Sequence, residues 1–305
     1  MKVLLTGAAG QLGQALIASR PEGVELVPLR RSDLDLADAD ACHHLVRQHQ
    51  PDWLLNAGAY TAVDRAEAEP ELAMAVNAGA PQAIAEALGG TGGRLLQLST
   101  DFVFNGQQGS PYRLDQAPEP LGVYGASKAA GERAVLAALG PGRARILRTS
   151  WVYGPVGANF CLTMLRLHAL KAAADEPLAV VADQVGCPTA SFGLAAACWR
   201  AIGIGADPGA ATMLHWSDAG AASWYDFAVA IGELGVAAGL LEQAARVRPI
   251  PTSAYPTPAA RPPYSLLDCT ASRELLGLEP THWRAALAQV LAQLADLRTN
   301  PGARA

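Results

Sequence analysis

A short apolar strand and the glycine-rich turn that follows it limit the folds open to this chain. Lys2–Thr6 is typical of a buried strand, and the run Gly7-Ala-Ala-Gly-Gln-Leu-Gly13 leads directly into a helical pattern. A strand, a glycine-rich turn and a helix in this order bind phosphate, since amides at the helix N-terminus face the anion. Gly7 permits the tight turn, Gly10 lets the backbone approach a pyrophosphate, and Gly13 lets helix and strand pack closely. The spacing is GxxGxxG rather than GxGxxG, but its position after the first strand favours a dinucleotide site over an accidental glycine cluster.

Strands and helices alternate along the first half of the chain. Further apolar runs with strand character cover residues 24–29, 52–56, 94–98 and 144–148, and helical patterns separate them. This alternation predicts an α/β protein with a Rossmann-type, doubly wound parallel sheet that binds a nucleotide at its carboxyl edge.

The composition changes after the fifth strand and indicates two regions. We expect residues 1–150 to form an NAD(P)-binding Rossmann domain, with a returning strand near 178–182. Residues 151–177 and 183–298 are expected to form mainly a smaller, C-terminal substrate-binding domain, and residues 299–305 a flexible tail.

Two segments are rich in glycine or proline. Residues 106–120 are long for a simple connection, which suggests a flap over the substrate. Residues 249–263 are too proline-rich for regular structure, and their Tyr, Thr and Arg side chains favour a shaped binding loop over a linker.

Composition excludes several classes of function. The 305 residues carry a net charge of -5 without a Lys/Arg run, which argues against nucleic acid as a partner. No uninterrupted apolar run approaches the roughly 18 residues needed to span a membrane, so we expect a soluble, cytoplasmic protein. The five cysteines are widely spaced and form no CxxC pair. They indicate reduced, apolar residues rather than a metal site or disulfides.

The ends of the second and third strands indicate how a dinucleotide would be selected. Arg30 and Arg31 follow the second strand, where arginine accommodates the 2′-phosphate of NADPH and an acidic residue binds a free ribose hydroxyl. The arginines favour NADPH, although surface solubility explains two loop arginines equally well. Asp33 and Asp35 can still reach the ribose or the adenine. The third strand leads into Ala57-Gly-Ala-Tyr-Thr61, whose small residues let a flat cofactor lie against the backbone.

Tyr124 and Lys128 begin another helical pattern and lie one turn apart on the same face. An ammonium group beside a phenol lowers the phenol pKa from its usual value near 10, so the pair can pass a proton to or from a substrate oxygen. The same pair is common on ordinary helices and is informative only if a cofactor lies nearby. Ser99 and Thr100 end the fourth strand and add hydroxyl groups at the same sheet edge. The residues expected to contact the cofactor are Gly7, Gly10, Gln11, Leu12, Gly13, Arg30, Asp35, Leu36, Ala59, Tyr60, Thr61, Tyr124 and Lys128.

Motif order and spacing resemble a known family. The glycine turn, Ser99-Thr100 and Tyr124-x-x-x-Lys128 resemble the extended short-chain dehydrogenase/reductase superfamily. Within it, motifs over residues 7–262 resemble the dTDP-4-dehydrorhamnose reductase family. These motifs are Gly7-Ala-Ala-Gly-Gln-Leu-Gly13, Ala62-Val-Asp-Arg-Ala-Glu67, Ser99-Thr-Asp-Phe-Val-Phe104, Val123-Tyr-Gly-Ala-Ser-Lys128, Arg148-Thr-Ser-Trp-Val-Tyr153, Asp183-Gln-Val-Gly186 with Pro188-Thr189, and Pro251-Thr-Ser-Ala-Tyr-Pro-Thr-Pro258 with Arg261-Pro262.

The resemblance implies an NADPH-dependent oxidoreductase of nucleotide-sugar metabolism, with NADH accepted less readily. The expected reaction is reduction of the 4-keto group of dTDP-4-dehydro-6-deoxy-L-mannose (dTDP-4-dehydro-β-L-rhamnose) to dTDP-L-rhamnose, a precursor of cell-wall polysaccharides and lipopolysaccharide. Tyr124 is then the general acid, Lys128 lowers its pKa and holds the nicotinamide ribose, and Thr100 hydrogen-bonds the ketone oxygen or the phenol.

The same resemblance indicates the substrate site. Thr100, Asp101 and Trp151 are expected to contact the sugar, and Arg261 in the proline-rich loop is a candidate for the diphosphate. Trp151 has a structural alternative as an ordinary core aromatic residue.

One family feature is missing from the sequence. Some members form a dimer through a magnesium ion held by glutamates, whereas this chain has Ala15, Phe192 and Arg284 at the apparent equivalents. We therefore expect no metal site and a monomer or weak homodimer.

Two alternatives stay open at the level of sequence. One is a non-catalytic, NADP-binding regulatory subunit of the S-adenosylmethionine synthetase type, against which the complete Thr100, Tyr124 and Lys128 set argues. The other is a different nucleotide-sugar ketoreductase or an epimerase.

Overall fold

The computed structural model describes residues 1–204 and 212–299. The strands are β1 (Lys2–Thr6), β2 (Glu25–Leu29), β3 (Trp53–Asn56), β4 (Arg94–Thr100), β5 (Ala144–Thr149), β6 (Val152–Tyr153), β7 (Leu178–Val181), β8 (Val185–Gly186), β9 (Thr189–Ala190), β10 (Met213–Trp216), β11 (Ala222–Ser223) and β12 (Val247–Ile250). The α-helices are α1 (Gln11–Ala18), α2 (Ala39–His49), α3 (Val63–Ala66), α4 (Pro70–Met74), α5 (Ala80–Thr91), α6 (Val123–Leu139), α7 (Phe160–Ala173), α8 (Ser191–Gly203), α9 (Trp224–Ala237), α10 (Thr270–Leu276) and α11 (Trp283–Thr299). A π-helical turn spans Ala75–Gly79, and 3-10 turns span Asp101–Val103 and Thr252–Ala254.

The central sheet has six parallel strands in the order β10-β5-β4-β3-β1-β2. The chain builds outward from β1 in one direction to β2 and then in the other direction through β3, β4 and β5. The order therefore reverses between β1 and β3, and a ligand in such a sheet binds in the crevice outside their carboxyl ends. The predicted doubly wound α/β fold is confirmed.

Helices cover both faces of this sheet. On one face α2, α5 and α6 bury Leu4, Leu54 and Ile146. On the other face α1 and α8 bury Leu5 and Leu55. Strands buried on both faces need the nearly continuous apolar runs that the sequence supplies.

A second core lies in the C-terminal half, among α7, α9 and α11, and centres on Tyr153 and Phe227, whose ring centroids are 5.1 Å apart. The halves are not separate along the chain, because α8 and β10 lie beyond residue 150 and complete the first core. The proposed domain boundaries stay a prediction.

The predicted return to the central sheet near 178–182 is wrong. Residues 178–181 form β7, but β7 pairs in parallel with β12 in a separate two-stranded sheet. The sixth place in the central sheet belongs to β10. Both β7 and β10 are short apolar runs, and such a run does not by itself determine which sheet a strand joins.

The proline-rich segment is also more regular than expected. Its first residues, Pro249 and Ile250, belong to β12, and a 3-10 turn follows at Thr252–Ala254. β12 pairs with a single neighbour. Proline is tolerated on such an edge strand, because its missing N–H removes a hydrogen bond on only one side of the strand.

The predicted flexible tail begins at Thr299, which is the last residue of α11. The remainder, residues 300–305, lies outside the described residues. Within the ranges 1–204 and 212–299, none of the helices combines the length and the apolar character needed to cross a bilayer.

Candidate active site

The glycine-rich turn is packed against the end of β3. Gly7 has a φ of +68°, and a Cβ atom there would lie 2.7 Å from the amide nitrogen of Gly58. A Cβ atom on Gly13 would lie 2.2 Å from the carbonyl oxygen of Gly7. Real Cβ contacts are never this short, so α1 approaches β1 and β3 this closely only because both positions are glycine.

A cleft of about 750 Å³ opens above this turn. All thirteen residues expected to contact the cofactor line it. They come from the ends of β1, β2, β3 and from the start of α6, so the sheet edge brings together residues that are up to 121 positions apart. Such a volume lies within the range of small-molecule and cofactor sites. The glycine-rich turn and the cleft together fit a dinucleotide.

Val152, Gly157 and Ala158 are among the lining residues that the sequence argument missed. They belong to the segment after β5. Gln11 ties this segment to the glycine turn, since its Nε2 donates to the carbonyl of Val152 at 3.1 Å and its Oε1 accepts from Asn159 at 3.1 Å. No sequence signal marked these small and apolar residues.

Asn77 fixes the backbone of Tyr60, which lines the cleft. It is buried in the π-helical turn, its Oδ1 accepts from the amide of Tyr60 at 2.9 Å, and its Nδ2 donates to the Tyr60 carbonyl at 3.0 Å. The same Nδ2 donates to Ser127 Oγ, and Ser127 donates to the Tyr124 carbonyl. Asn77 therefore joins the cofactor-side loop to the first turn of α6.

The first turn of α6 is fixed by two contacts. Glu67 Oε1 accepts the free amide of Val123 at 2.8 Å, so an acidic side chain caps the positive end of the helix. A Cβ atom on Gly125 would lie 2.1 Å from the Phe102 carbonyl oxygen, which lets the helix lie directly against the end of β4. Tyr124 is thereby held near Thr100, with its ring edge-to-face on Phe102 at 5.7 Å.

Burial raises the pKa of Tyr124 to about 12, the Thr100 hydroxyl lowers it, and the Asp101 carboxyl raises it further. A phenol with this pKa is fully protonated at neutral pH. The sequence argument expected Lys128 to lower the Tyr124 pKa, but in the structure the neighbour that lowers it is Thr100.

Lys128 is 5% exposed, and its Nζ donates to the Leu98 carbonyl at 2.6 Å. Burial lowers its pKa to about 8, which Glu132 partly counteracts. The Lys128 side chain lines the cleft and is also a buried cation.

A buried ion pair lies beneath Lys128. Arg148 on β5 forms two hydrogen bonds to Glu132 on α6, at 2.7 and 2.9 Å, and both side chains are 3% exposed. Ser99 Oγ also donates to Glu132, and the guanidinium lies 5.0 Å from the Phe104 ring centroid. The pair joins α6, the helix that carries Tyr124 and Lys128, to the sheet, and the sequence argument did not identify it.

The four expected substrate residues lie outside the large cleft. Thr100 and Asp101 are buried beside Tyr124, at the end of β4. Tyr124 lines both the cleft and a second, small hollow whose other walls include Phe102, Ala259 and Pro262. The candidate catalytic side chains therefore stand between a cofactor-sized cleft and the proline-rich segment.

Trp151 is half-buried and stacks on Trp224 with a centroid distance of 3.5 Å and an interplanar angle of 6°. Its φ of +47° is unusual for a bulky residue and indicates a backbone held in place by its surroundings. Trp151 also packs against the C-terminal core, which supports its structural alternative, and the substrate role stays a prediction.

Arg261 forms two hydrogen bonds to Asp64, at 2.8 and 3.1 Å, and further ones to Thr257 and to the Ala259 carbonyl. Burial of this pair is incomplete, with side-chain exposures of 24% for Arg261 and 40% for Asp64. Arg261 thus joins the proline-rich segment to the loop after β3, and a diphosphate would compete with Asp64 for it.

The three positions that replace family glutamates have other contacts. Ala15 packs against the sheet core, Phe192 packs against the C-terminal core, and Arg284 pairs with Glu233 at 2.5 Å. The doubt about a magnesium-bridged dimer stays a prediction.

Comparisons with known proteins identify a family that fits this site. The family model described as "RmlD substrate binding domain" matches residues 1–296. A dTDP-4-dehydrorhamnose reductase from Streptomyces griseus is 42% identical over 303 residues, covering 98% of this chain and 95% of the relative.

Solved structures agree with this match. The enzyme of that name from Clostridium acetobutylicum has a TM-score of 0.87 at 34% identity, and the one from Bacillus anthracis, solved in complex with NADP, has a TM-score of 0.85 at 33% identity. Each comparison covers 96% of this chain and 99% of the other. The predicted family and the prediction of an oxidoreductase are confirmed: the chain belongs to the dTDP-4-dehydrorhamnose reductase family.

Proposed function

We propose that this protein reduces the 4-keto group of dTDP-4-dehydro-β-L-rhamnose to dTDP-L-rhamnose with NADPH. The observation that carries the proposal is that Tyr124 and Lys128 line the same cleft as the glycine turn. A dinucleotide with its pyrophosphate on that turn and its nicotinamide near Lys128 would meet a sugar ketone bound against Tyr124. The names of the relatives support the choice of ketone.

The proposed cofactor is NADPH. The glycine turn would hold its pyrophosphate, and Arg30 at the end of β2 would accept its 2′-phosphate. The NADP complex of the B. anthracis relative supports this choice. Asp33 accepts the backbone amide of Arg30 at 2.8 Å, so this acidic residue shapes the loop around the arginine.

Tyr124 is the proposed general acid. A bound NADPH would supply the hydride to C4 of the sugar. Negative charge then develops on the ketone oxygen, and Tyr124 donates its proton there. Since burial keeps the Tyr124 pKa at about 12, the proton is present at neutral pH and is released only to a strongly basic oxygen.

Lys128 and Thr100 are the proposed partners of Tyr124. Lys128, held by the Leu98 carbonyl, would bind the nicotinamide ribose hydroxyls and place a positive charge near the reacting groups. The Thr100 hydroxyl stabilises the phenolate after proton transfer, in line with its lowering effect on the Tyr124 pKa.

The substrate's other groups are assigned to the second half of the chain. Asp101 and Trp151 are proposed to contact the sugar, and Arg261 to bind the diphosphate after release from Asp64. We also propose a cytoplasmic location and a monomer or weak homodimer. Arg284, which pairs with Glu233, supports the latter, because it stands at the apparent equivalent of a metal-binding glutamate of some family members.

The test is incubation with NADPH and the dTDP-4-keto sugar, followed by loss of the absorbance of the reduced cofactor. The wild-type protein should consume NADPH, and Tyr124→Phe should retain NADPH binding while turnover falls at least about a hundredfold.

The matched control is Tyr225→Phe, on α9 and outside the lining of the cleft, which should turn over normally. Near-normal turnover of Tyr124→Phe would contradict the assigned role of the phenol. Absence of NADPH consumption by the wild-type protein would contradict the proposed reaction.

A further inference from the structure

The hydroxyl group of Thr149 is buried at the cleft and takes part in none of the contacts described above. Thr149 is the last residue of β5 and is 8% exposed. Its Oγ1 has no hydrogen-bond partner among the described residues. A buried polar atom without a partner costs free energy, so such an atom in a folded protein requires a physical explanation.

Other buried polar atoms also lack a partner, but their residues do not line the cleft. In the described part of the chain, Thr149 is the only residue that both carries such an atom and lines the cleft. The other atoms of this kind are Asp101 Oδ2, His168 Nδ1, Thr189 Oγ1, Trp216 Nε1 and Arg273 Nε. A ligand in the cleft can therefore supply the missing partner of Thr149.

The alternation of side chains along β5 places Thr149 on the face of the sheet that α8 covers. Arg148 reaches Glu132 on α6, so its neighbours on β5 lie on the other face. Leu147 accordingly packs in the same core as Leu194 of α8. Thr149 follows two residues later and lies on the same face as Leu147.

The wall of the cleft on this face is otherwise apolar. Leu98 at the end of β4, Val152 on β6 and Leu194 on α8 line the cleft and pack in the core on this face. Lys128 lines the cleft from α6, which covers the other face. The end of the cleft at β4 and β5 therefore combines an apolar wall, one hydroxyl group on that wall and a buried cation.

The sheet determines the course of a dinucleotide through the cleft. Its pyrophosphate would lie on the glycine turn after β1, and its adenosine half toward Arg30 at the end of β2. The strand order β2-β1-β3-β4-β5 then leads the nicotinamide half away from β2, to the ends of β4 and β5. Lys128 and Thr149 line the cleft there.

The chemistry of this wall matches a nicotinamide. The ring is flat and carries one polar substituent, a carboxamide with an acceptor oxygen and a donor NH2 group. A threonine hydroxyl can donate to the oxygen or accept from the NH2 group. Rotation about the Cα–Cβ bond moves the hydroxyl between staggered positions, so the Thr149 oxygen can turn toward a ligand in the cleft.

We propose that the Thr149 hydroxyl group hydrogen-bonds the carboxamide of the bound nicotinamide, while Leu98, Val152 and Leu194 contact the ring. The assignment rests on the proposed function and extends it to the reacting end of NADPH. A fixed carboxamide sets the rotation of the ring about its bond to the ribose, and therefore which face of the ring is turned toward the sugar. Thr149 is thus a cofactor-binding residue that orients the hydride donor.

The test is cofactor affinity, measured by isothermal titration calorimetry without sugar, in wild-type protein and in Thr149→Val. Valine has the shape of threonine and lacks the hydroxyl group. We expect the Kd for NADPH to rise about tenfold, because the hydrogen bond to the carboxamide is lost. The Kd for 2′,5′-ADP, which has the adenosine half and no nicotinamide, should be unchanged.

Two analogues of NADPH identify the group that Thr149 binds. One has an acetyl group in place of the carboxamide and lacks the NH2 donor, and the other is the thioamide, whose sulfur is a weak acceptor. Wild-type protein should bind at least one of them about tenfold more weakly than NADPH, and Thr149→Val should bind all three alike. An equal preference for NADPH in both proteins would overturn the proposal, since another group would then hold the carboxamide.

Thr189→Val is the matched control. Thr189 is fully buried, its Oγ1 also lacks a partner among the described residues, and it does not line the cleft. Its replacement should leave both Kd values unchanged. If Thr149→Val does not fold, as judged by circular dichroism, Thr149→Ser and Thr149→Ala make the same comparison, since serine keeps the hydroxyl group and alanine removes it.

Two results would contradict the role of Thr149: a Kd for NADPH that is the same with and without the hydroxyl group, and a Kd for NADPH that rises together with that for 2′,5′-ADP. Because no sugar is present, either result concerns Thr149 alone, whatever ketone the enzyme reduces. Wild-type protein that binds no NADPH would instead contradict the proposed function.

Discussion

Two arginine–carboxylate pairs have the same geometry and very different surroundings. Arg148 and Glu132 are 3% exposed and connect β5 to α6, the helix that carries Tyr124 and Lys128. Arg261 and Asp64 are 24% and 40% exposed and connect the proline-rich segment to the loop after β3. Each pair makes two hydrogen bonds and joins segments distant in sequence.

The difference teaches what burial does to an ion pair. Neither charge of the inner pair can be hydrated if its partner is removed, so the pair acts as a permanent part of the scaffold. Water can replace either partner of the outer pair, so it costs little to open. A fixed pair on the helix that carries Tyr124 suits a site that needs precise geometry, and an openable pair, more exposed to solvent, suits a residue proposed to bind a diphosphate.

The largest expected effect is on the inner pair. Arg148→Met leaves the Glu132 carboxylate buried and uncompensated, which should lower the free energy of unfolding by about 3–5 kcal/mol. Urea denaturation followed by circular dichroism measures this loss.

The control is the double variant Glu132→Leu with Arg148→Met, which removes both charges and should recover most of the lost stability. If the single and double variants are equally unstable, packing around Arg148 rather than the buried charge explains the loss.

The neighbour of the inner pair gives a pH-dependent effect. His215 Nε2 lies 3.5 Å from Arg148, and burial together with this cation lowers the pKa of His215 to about 4. An unfolded histidine has a pKa near 6.5, so between pH 6.5 and 4 the unfolded state binds one more proton than the folded state. The free energy of unfolding therefore decreases as the pH is lowered through this range. On lowering the pH from 6.5 to 4, the free energy of unfolding of the wild-type protein should decrease by up to about 3 kcal/mol more than that of His215→Gln.

Denaturation curves at several pH values measure the two slopes. The comparison between variants matters because Asp101 and Asp218, with pKa values raised by burial, act in the opposite direction as the pH falls. Equal slopes in wild type and His215→Gln would contradict the assignment of a buried neutral histidine.

The fold was predictable wherever a local pattern determines it. The glycine turn after β1 and the alternation of strands and helices were sufficient for the doubly wound sheet, because parallel buried strands need apolar runs and short turns. The assignment of β7 and β10 was not predictable in the same way. Which of two apolar strands joins the sheet depends on packing between segments far apart in the chain.

The cofactor side of the site was predictable for the same reason, since its residues follow strand ends whose meeting point is fixed by topology. The contacts that hold those residues were not. Glu67 caps α6, and Asn77 binds the Tyr60 backbone, through hydrogen bonds that no spacing rule encodes. Arg261 was a candidate for the diphosphate, and its pairing with Asp64, which depends on the three-dimensional path of the proline-rich segment, was not predicted.

The smallest expected effect on stability is at the outer pair. Asp64→Asn removes the charge opposite Arg261 and should change the free energy of unfolding by less than about 1 kcal/mol, because solvent reaches both side chains. If Arg261 binds the diphosphate, the same change removes its competitor, so the KM for the nucleotide sugar should fall while kcat is unchanged. Arg261→Met should raise that KM at a similarly small cost in stability. Steady-state kinetics on both variants decides the matter: equal KM values in the two would mean that the outer pair only ties the proline-rich segment to the loop after β3.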